Sequence, residues 1–290
     1  MNTISKWLVP IVLVLTLTSC AFAPADHQGG DVPRTAAIVP VKAQRPVLGL
    51  VLGAGGARGF AHVGVIKALA AAGLEADVVV GASSGALVAS FYASGMDAQT
   101  LEALALKLED NDIFDFTLFG PGAVRGLRLQ EFVNRNLNGR RIEALAKPFA
   151  AVATEQGSGR LKVFNRGDTG IAVRASASVP KFFWPVVING QPYIDGGVAS
   201  QVPAPLAREM GADVVVAVDI SRRPAKDAND ADVVIRPQTT RSRINDFQHR
   251  QANIAAGEAA ANEVIQEIRA RLAAAGARKV NGNTAAMLSR

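Results

Sequence analysis

Ser83 stands in Gly81-Ala-Ser-Ser-Gly85, directly after the apolar run Val78-Val-Val80. A serine between two glycines at the end of a buried strand is the pattern of a nucleophile elbow. Gly81 and Gly85 select Ser83 over Ser84, because a β-carbon two residues to either side of the nucleophile would crowd the turn. Attack by serine needs a proton acceptor. The chain holds three histidines, His27, His62 and His249, and none sits on a loop after a strand as a triad histidine would; His62 reads as a structural residue of the first helix. The other candidate base is Asp195 in Tyr193-Ile-Asp-Gly-Gly197, at a strand end where Gly196 and Gly197 let backbone approach closely. A free aspartate, with a pKa of about 3.9, is a poor base, so this reading requires burial to lift it.

A second glycine motif, Gly53-Ala-Gly-Gly-Ala-Arg-Gly59, lies between a strand and a helix, where backbone N–H groups converge on a helix N-terminus and can hold a negative oxygen. Taken alone the loop suits nucleotide phosphate or an oxyanion equally. The dinucleotide fingerprint is incomplete in either register, and Glu75 and Asp77 precede the second strand instead of ending it. A phosphate-binding Walker loop also fails, for want of Gly-Lys-Ser/Thr. The oxyanion reading uses the N–H groups of Gly55, Gly56 and Ala57.

Positioning these residues requires alternating strands and helices. Val47–Leu52 and Val78–Val80 read as strands, Arg58–Ala72 as a helix, and Gly85–Ala93 as a small-residue helix following the serine. Asp97 is a good N-cap for a helix that buries Leu101, Leu104, Ala105 and Leu108. Leu129–Leu137 reads as a further helix, with later strands at Phe149–Ala153, Leu161–Phe164, Val186–Ile188, Tyr193-Ile194 and Val214–Val218. Such alternation predicts an α/β protein: a three-layer α/β/α arrangement around a mostly parallel sheet. From Ile244 a C-terminal helix aligns Ala261, Val264, Ile265, Ile268 and Leu272 on one face. Glu109, Asp110, Asp112 and Asp115 read as a solvated loop, lacking the glycine and terminal glutamate of a calcium loop; no metal site and no cofactor is expected. The adjoining Ile113, Phe114, Phe116, Leu118 and Phe119 read either as core or as the apolar wall or lid of a neighbouring site.

The N-terminus carries a targeting signature. Lys6 precedes an apolar stretch from Trp7 to Leu17, too short to cross a hydrocarbon core of about 30 Å and suited to a signal peptide. Leu17-Thr-Ser-Cys20 resembles the bacterial lipoprotein processing site, with Cys20, the one cysteine of the chain, as the lipidated residue. That resemblance implies export and anchoring, with Ala21 in place of an aspartate implying the outer membrane, periplasmic face. Residues 1–19 are then the signal peptide, 20–45 a flexible tether, 46–223 the catalytic domain and 224–290 a helical extension. The net charge of +6 suits an anionic membrane surface. Scattered arginines with few aromatics give no nucleic-acid stripe, and Arg236–Arg250 reads as a charged solvated face.

In order along the chain, the Gly53–Gly59 loop, Gly81-Ala-Ser-Ser-Gly85 and Asp195-Gly-Gly197 resemble the bacterial patatin-like phospholipases. Ala175-Ser-Ala-Ser-Val-Pro180 is similar to that family's small-residue segment before the aspartate strand. The resemblance covers about Pro46–Ser221. It implies a Ser83–Asp195 dyad without histidine, an oxyanion hole at Gly55, Gly56 and Ala57, support from Arg58 and Gly59, and a phospholipid or other fatty-acyl ester as substrate. Ala54 departs from the family's glycine, yet keeps the backbone N–H. A serine lipid acyl hydrolase is therefore expected; an acyltransferase on the same dyad and a non-catalytic lipid-binding lipoprotein are the alternatives.

Overall fold

The computed structural model describes residues 23–241 and 243–288. Residues 1–19 and Cys20, the expected signal peptide and lipidation site, lie outside the described residues. Eight helices and nine strands follow in chain order among them: β1 Asp26–His27, β2 Leu48–Leu52, α1 Phe60–Ala71, β3 Val78–Ala82, α2 Ser84–Ala93, α3 Ala98–Lys107, α4 Asp110–Ile113, α5 Leu127–Asn136, β4 Phe149–Glu155, β5 Leu161–Phe164, α6 Thr169–Ser176, β6 Val186–Ile188, β7 Gln191–Asp195, α7 Ala204–Glu209, β8 Val214–Val218, β9 Val233–Ile235 and α8 Arg250–Leu288. The sheet runs β1-β6-β7-β4-β3-β2-β8-β9, with β5 also on β4. Its centre, from β4 to β9, is parallel; β5, β6 and β7 form the antiparallel joints.

Strand alternation sorts the core onto two faces. Leu48, Leu50 and Leu52 of β2 join α1, α2, α3, α5, α6 and α8 on one side. Val51, Val78, Val80 and Val152 join α7 and the turn around Ala225 and Ala228 on the other. The expected α/β/α layering is present, with a much thicker helical layer on the first face.

Two boundaries expected from the sequence are corrected. Residues 26–43 do not form a free tether: β1 pairs with β6, Val32 is buried, Ile38, Val41 and Ala43 pack on the second core face, and Asn165 clasps Ala36 through both its amide groups. Scattered apolar residues in a Pro/Ala-rich segment give no period, yet suffice to bind it to the domain. Nor does the catalytic domain end at residue 223, since β9 adds to β8 and α8 lies across α1. There the helices touch at Gly64 and Gly257; a β-carbon on Gly64 would collide with the Ile254 carbonyl, and one on Gly257 with that of Ala61. The last helix starts at Arg250 instead of Ile244, and buries Ala261 and Ile268 as its periodicity predicted. Asp97 caps α3 through Thr100 N–H at 2.7 Å.

Candidate active site

Two strands meet on one edge of β4 and bring the chemistry together. Residues Ala151 to Ala153 of β4 pair with β5 along one edge. On the other edge β3 ends with Ala82 opposite Val152, and antiparallel β7 ends with Asp195 opposite Ala153. Asp195 thus takes the next place along β4 after Ala82, about 3.3 Å further on, just where the chain turns out of β3 at Ser83.

That turn is strained as an elbow requires. Ser83 has φ 55° and ψ −126°, a left-handed conformation costly for a residue with a side chain. A β-carbon at Gly81 would strike the Ala86 backbone, and one at Gly85 the Leu52 carbonyl, so both glycines are steric necessities. Ser83 Oγ donates to Asp195 Oδ2 at 2.6 Å, and both residues are buried. Gly197 N–H donates to Asp195 Oδ1 at 2.7 Å. Burial pushes the Asp195 carboxyl up to about 6, against the hydrogen bonds from Ser83 and Gly197, which favour its charged form.

The segment before the aspartate strand buttresses both partners. Ser83 N–H donates to Ser176 Oγ at 2.9 Å, and Asp195 N–H to the Ser178 carbonyl at 2.8 Å. Thr154 Oγ1 donates to the Asp195 carbonyl at 2.7 Å. These serines lie on and just after α6, a helix that no local pattern in the sequence marks off from its surroundings. Ser176 falls in the Ala175–Pro180 segment that the resemblance singles out, without a role assigned to it, whereas Thr154 carries no signal in one sequence that distinguishes it from any other small polar residue.

The glycine loop faces the same point. Gly53 N–H is spent on the Val218 carbonyl and Ala54 N–H on that of Gln201. Gly56–Gly59 forms a 3-10 turn running into α1, so the N–H groups of Gly56 and Ala57 have no carbonyl of a preceding turn to bond. Gly56, Ala57 and Gly59 line a pocket with Ser83; Gly55 instead abuts Ile220. Arg58 Nε donates to the Ile220 carbonyl at 2.7 Å, which ties the loop to the segment after β8. His62 is structural: it is fully buried, its Nε2–H donates to the Gly53 carbonyl at 2.8 Å, and burial pulls its pKa down to about 4. It therefore holds the loop's first residue as a neutral imidazole.

The pocket over Ser83 encloses about 110 Å³ and is almost wholly apolar. Leu104 and Ala105 of α3, Leu108 just after it, Phe91 of α2, Phe114 and Phe247 supply much of its wall. The α3 stripe expected as core is thus partly pocket lining, and helical periodicity cannot tell the two apart. The aromatic stretch divides: Phe114 is buried in the pocket wall, whereas Phe116, Leu118 and Phe119 are exposed. The acidic cluster caps helices: Glu109 and Asp112 form a reciprocal capping box on α4, and Asp115 accepts from Gly126 and Leu127 N–H groups at the start of α5.

Fold and site define a three-layer α/β protein whose strained serine elbow is hydrogen-bonded to a buried aspartate. The chain belongs to the patatin-like phospholipase family, whose model matches residues 50–208. Among its relatives, an uncharacterised NTE family protein of Mycobacterium tuberculosis is 33% identical over 204 residues, 69% of this chain and 56% of that protein. Patatin-like phospholipase domain-containing protein 7 of Rattus norvegicus is 31% identical over 188 residues, 62% of this chain and 14% of that one. The match thus spans little more than half of the mycobacterial protein and a small part of the rat one. Solved structures share the fold: VipD from Legionella pneumophila has a TM-score of 0.57 at 15% identity, covering 83% of this chain and 71% of its own. The type III effector protein ExoU has a TM-score of 0.52 at 20% identity, covering 77% and 53%. No helix among the described residues is long and apolar enough to cross a membrane.

Proposed function

We propose that the protein is a serine lipid acyl hydrolase acting on phospholipids or other fatty-acyl esters. The observation that carries this reading is the 2.6 Å Ser83–Asp195 hydrogen bond beside an apolar pocket. Asp195, ionised above a pKa of about 6, takes the hydroxyl proton as Ser83 Oγ attacks the ester carbonyl. The N–H groups of Gly56 and Ala57, which line the pocket with Ser83 where Gly55 does not, stabilise the resulting oxyanion, a contribution of roughly 3 kcal/mol for one such donor. The C–O bond to the alcohol then breaks, with the proton passing from Asp195 to the leaving oxygen. Water repeats the sequence on the acyl-serine and releases the fatty acid. The pocket supports an acyl group, since its lining offers apolar contact and almost no polar partner.

The test is turnover of p-nitrophenyl esters and phosphatidylcholine by the wild type, Ser83→Ala and Asp195→Asn. Both variants should lose at least about a thousandfold in kcat/KM, and a fluorophosphonate probe should label the wild type but not Ser83→Ala. Full turnover by Ser83→Ala would refute the assignment, and transfer of the acyl group to an added alcohol in preference to water would make the enzyme an acyltransferase. We also propose that Cys20 is lipidated and anchors the exported protein to the outer membrane, on the strength of Leu17-Thr-Ser-Cys20. Radioactive palmitate should label the wild type but not Cys20→Ala; an unlabelled wild type would end that part of the proposal.

A further inference from the structure

The loop between α4 and α5 presents three large apolar side chains to solvent: Phe116, Leu118 and Phe119 are 62%, 94% and 61% exposed. Single exposed apolar residues are ordinary, but three within four positions of one loop form a patch. The loop is held in shape. Thr117 N–H donates to the Ala123 carbonyl at 2.8 Å, Val124 N–H to that of Phe182 at 2.9 Å, and Trp184 N–H to that of Val124 at 2.8 Å. Trp184 Nε1 donates to the Gly122 carbonyl at 2.9 Å. The patch is therefore displayed by an ordered scaffold.

It is also continuous with the pocket. The Phe116 ring lies 5.8 Å from Phe114 and 6.5 Å from Phe182, while Phe114 and Phe183, whose rings are 5.9 Å apart, both line the cavity over Ser83. An apolar track runs from the exposed loop to the nucleophile. At the loop's base the exposed Arg125 holds its guanidinium over the Trp184 ring, 5.3 Å from the centroid. A cation beside an apolar knob suits phosphate headgroups above acyl chains. Exposed Glu109 and Asp110 lie on the preceding turn, so attraction to anionic lipid is not the main force, and contact with acyl chains is.

We propose that the 115–124 loop docks the protein on a phospholipid bilayer, seating Phe116, Leu118 and Phe119 among the acyl chains so that a lipid tail passes along Phe116 and Phe114 into the pocket. The substrate half of this inference rests on the acyl-hydrolase reading; the docking half stands apart from it. Leu118→Cys in a full chain carrying Cys20→Ala gives one labelling site and no lipid anchor. An environment-sensitive fluorophore there should brighten and shift to the blue on adding phosphatidylcholine vesicles, whereas the same label at exposed Ser158→Cys should not. Replacing Leu118 and Phe119, which lie off the track to the pocket, together with Asp in the Cys20→Ala chain should weaken vesicle binding at least about tenfold. Vesicle phospholipid hydrolysis should fall with it, while turnover of soluble p-nitrophenyl butyrate stays within about twofold. An unchanged label signal, or vesicle binding equal to that of the parent, would overturn the docking. Absence of all ester turnover together with a responsive label would instead refute the hydrolase reading alone.

Discussion

In the proposed mechanism the chemistry at Ser83 and Asp195 depends on a carboxylate that burial makes basic. With its pKa at about 6, Asp195 accepts a proton only when ionised, so kcat/KM should fall about tenfold per pH unit below 6 and level off above it; a profile flat down to pH 4.5 would exclude it as the base. The same group has a stability signature. The folded state binds the Asp195 proton more tightly than the unfolded chain, so its contribution to stability falls as pH rises from about 4 to about 6 and stays low above. His62 has the opposite slope: with a folded pKa of about 4, its contribution is lost as pH falls from about 6.5 to about 4. Each shift corresponds to about 3 kcal/mol in full. Asp195→Asn should therefore unmask acid sensitivity, losing about 2 kcal/mol more than the wild type between pH 7 and 4.5, as read by urea unfolding. His62→Gln, which keeps a donor for Gly53, should lose less than the wild type over the same range.

On the proposed reading, the elements around Ser83 and Asp195 set selectivity as well as rigidity. Ala105 of α3 lines the pocket, so Ala105→Phe should shorten it. Hydrolysis of p-nitrophenyl laurate should fall at least about tenfold while the butyrate is spared; equal losses would place Ala105 outside the acyl path. Where α8 crosses α1, Gly257→Val would force the helices apart and cost about 3 kcal/mol, measured as a lowered urea midpoint with an unchanged slope. Much of this level was legible beforehand. Val78-Val-Val80 followed by glycine and serine announced β3 and its elbow, Asp97 announced the start of α3, and Ala261 and Ile268 announced the buried face of α8. The meeting of β3 and β7 on one edge of β4 was not legible, because strand order and register depend on long-range pairing that no local pattern encodes. Helix α6 was obscured for a different reason: its small residues, Ala172, Ala175 and Ser176, are buried all round and show no amphipathic stripe. Pocket lining was hidden too, since Leu104 and Ala105 read as core residues in either case.

Across the whole molecule, the packed N-terminal segment changes how an anchor would act. Because β1 is already fixed at Asp26, a lipidated Cys20 would be joined to the domain by residues 21–25 alone, a reach of at most about 22 Å over the six steps from Cys20 to Asp26. Such a short link restrains orientation as well as distance. Inserting about twenty Gly/Ser residues after Pro24 should release that restraint and change phospholipid hydrolysis by the membrane-bound enzyme, with soluble ester turnover unaltered. Equal rates on membranes would show that the anchor supplies proximity only.

The shared edge of β4 also makes the active site a clock for folding. Ser83 leaves β3 early in the chain, whereas its partner arrives more than a hundred residues later on β7, and neither local helix formation nor the elbow itself can bring Asp195 into place. An incompletely assembled sheet therefore carries a serine of ordinary reactivity. During refolding, fluorophosphonate labelling of Ser83 should lag behind recovery of helical circular dichroism and coincide with the docking of β7, so a nascent chain stays chemically silent until its sheet is complete.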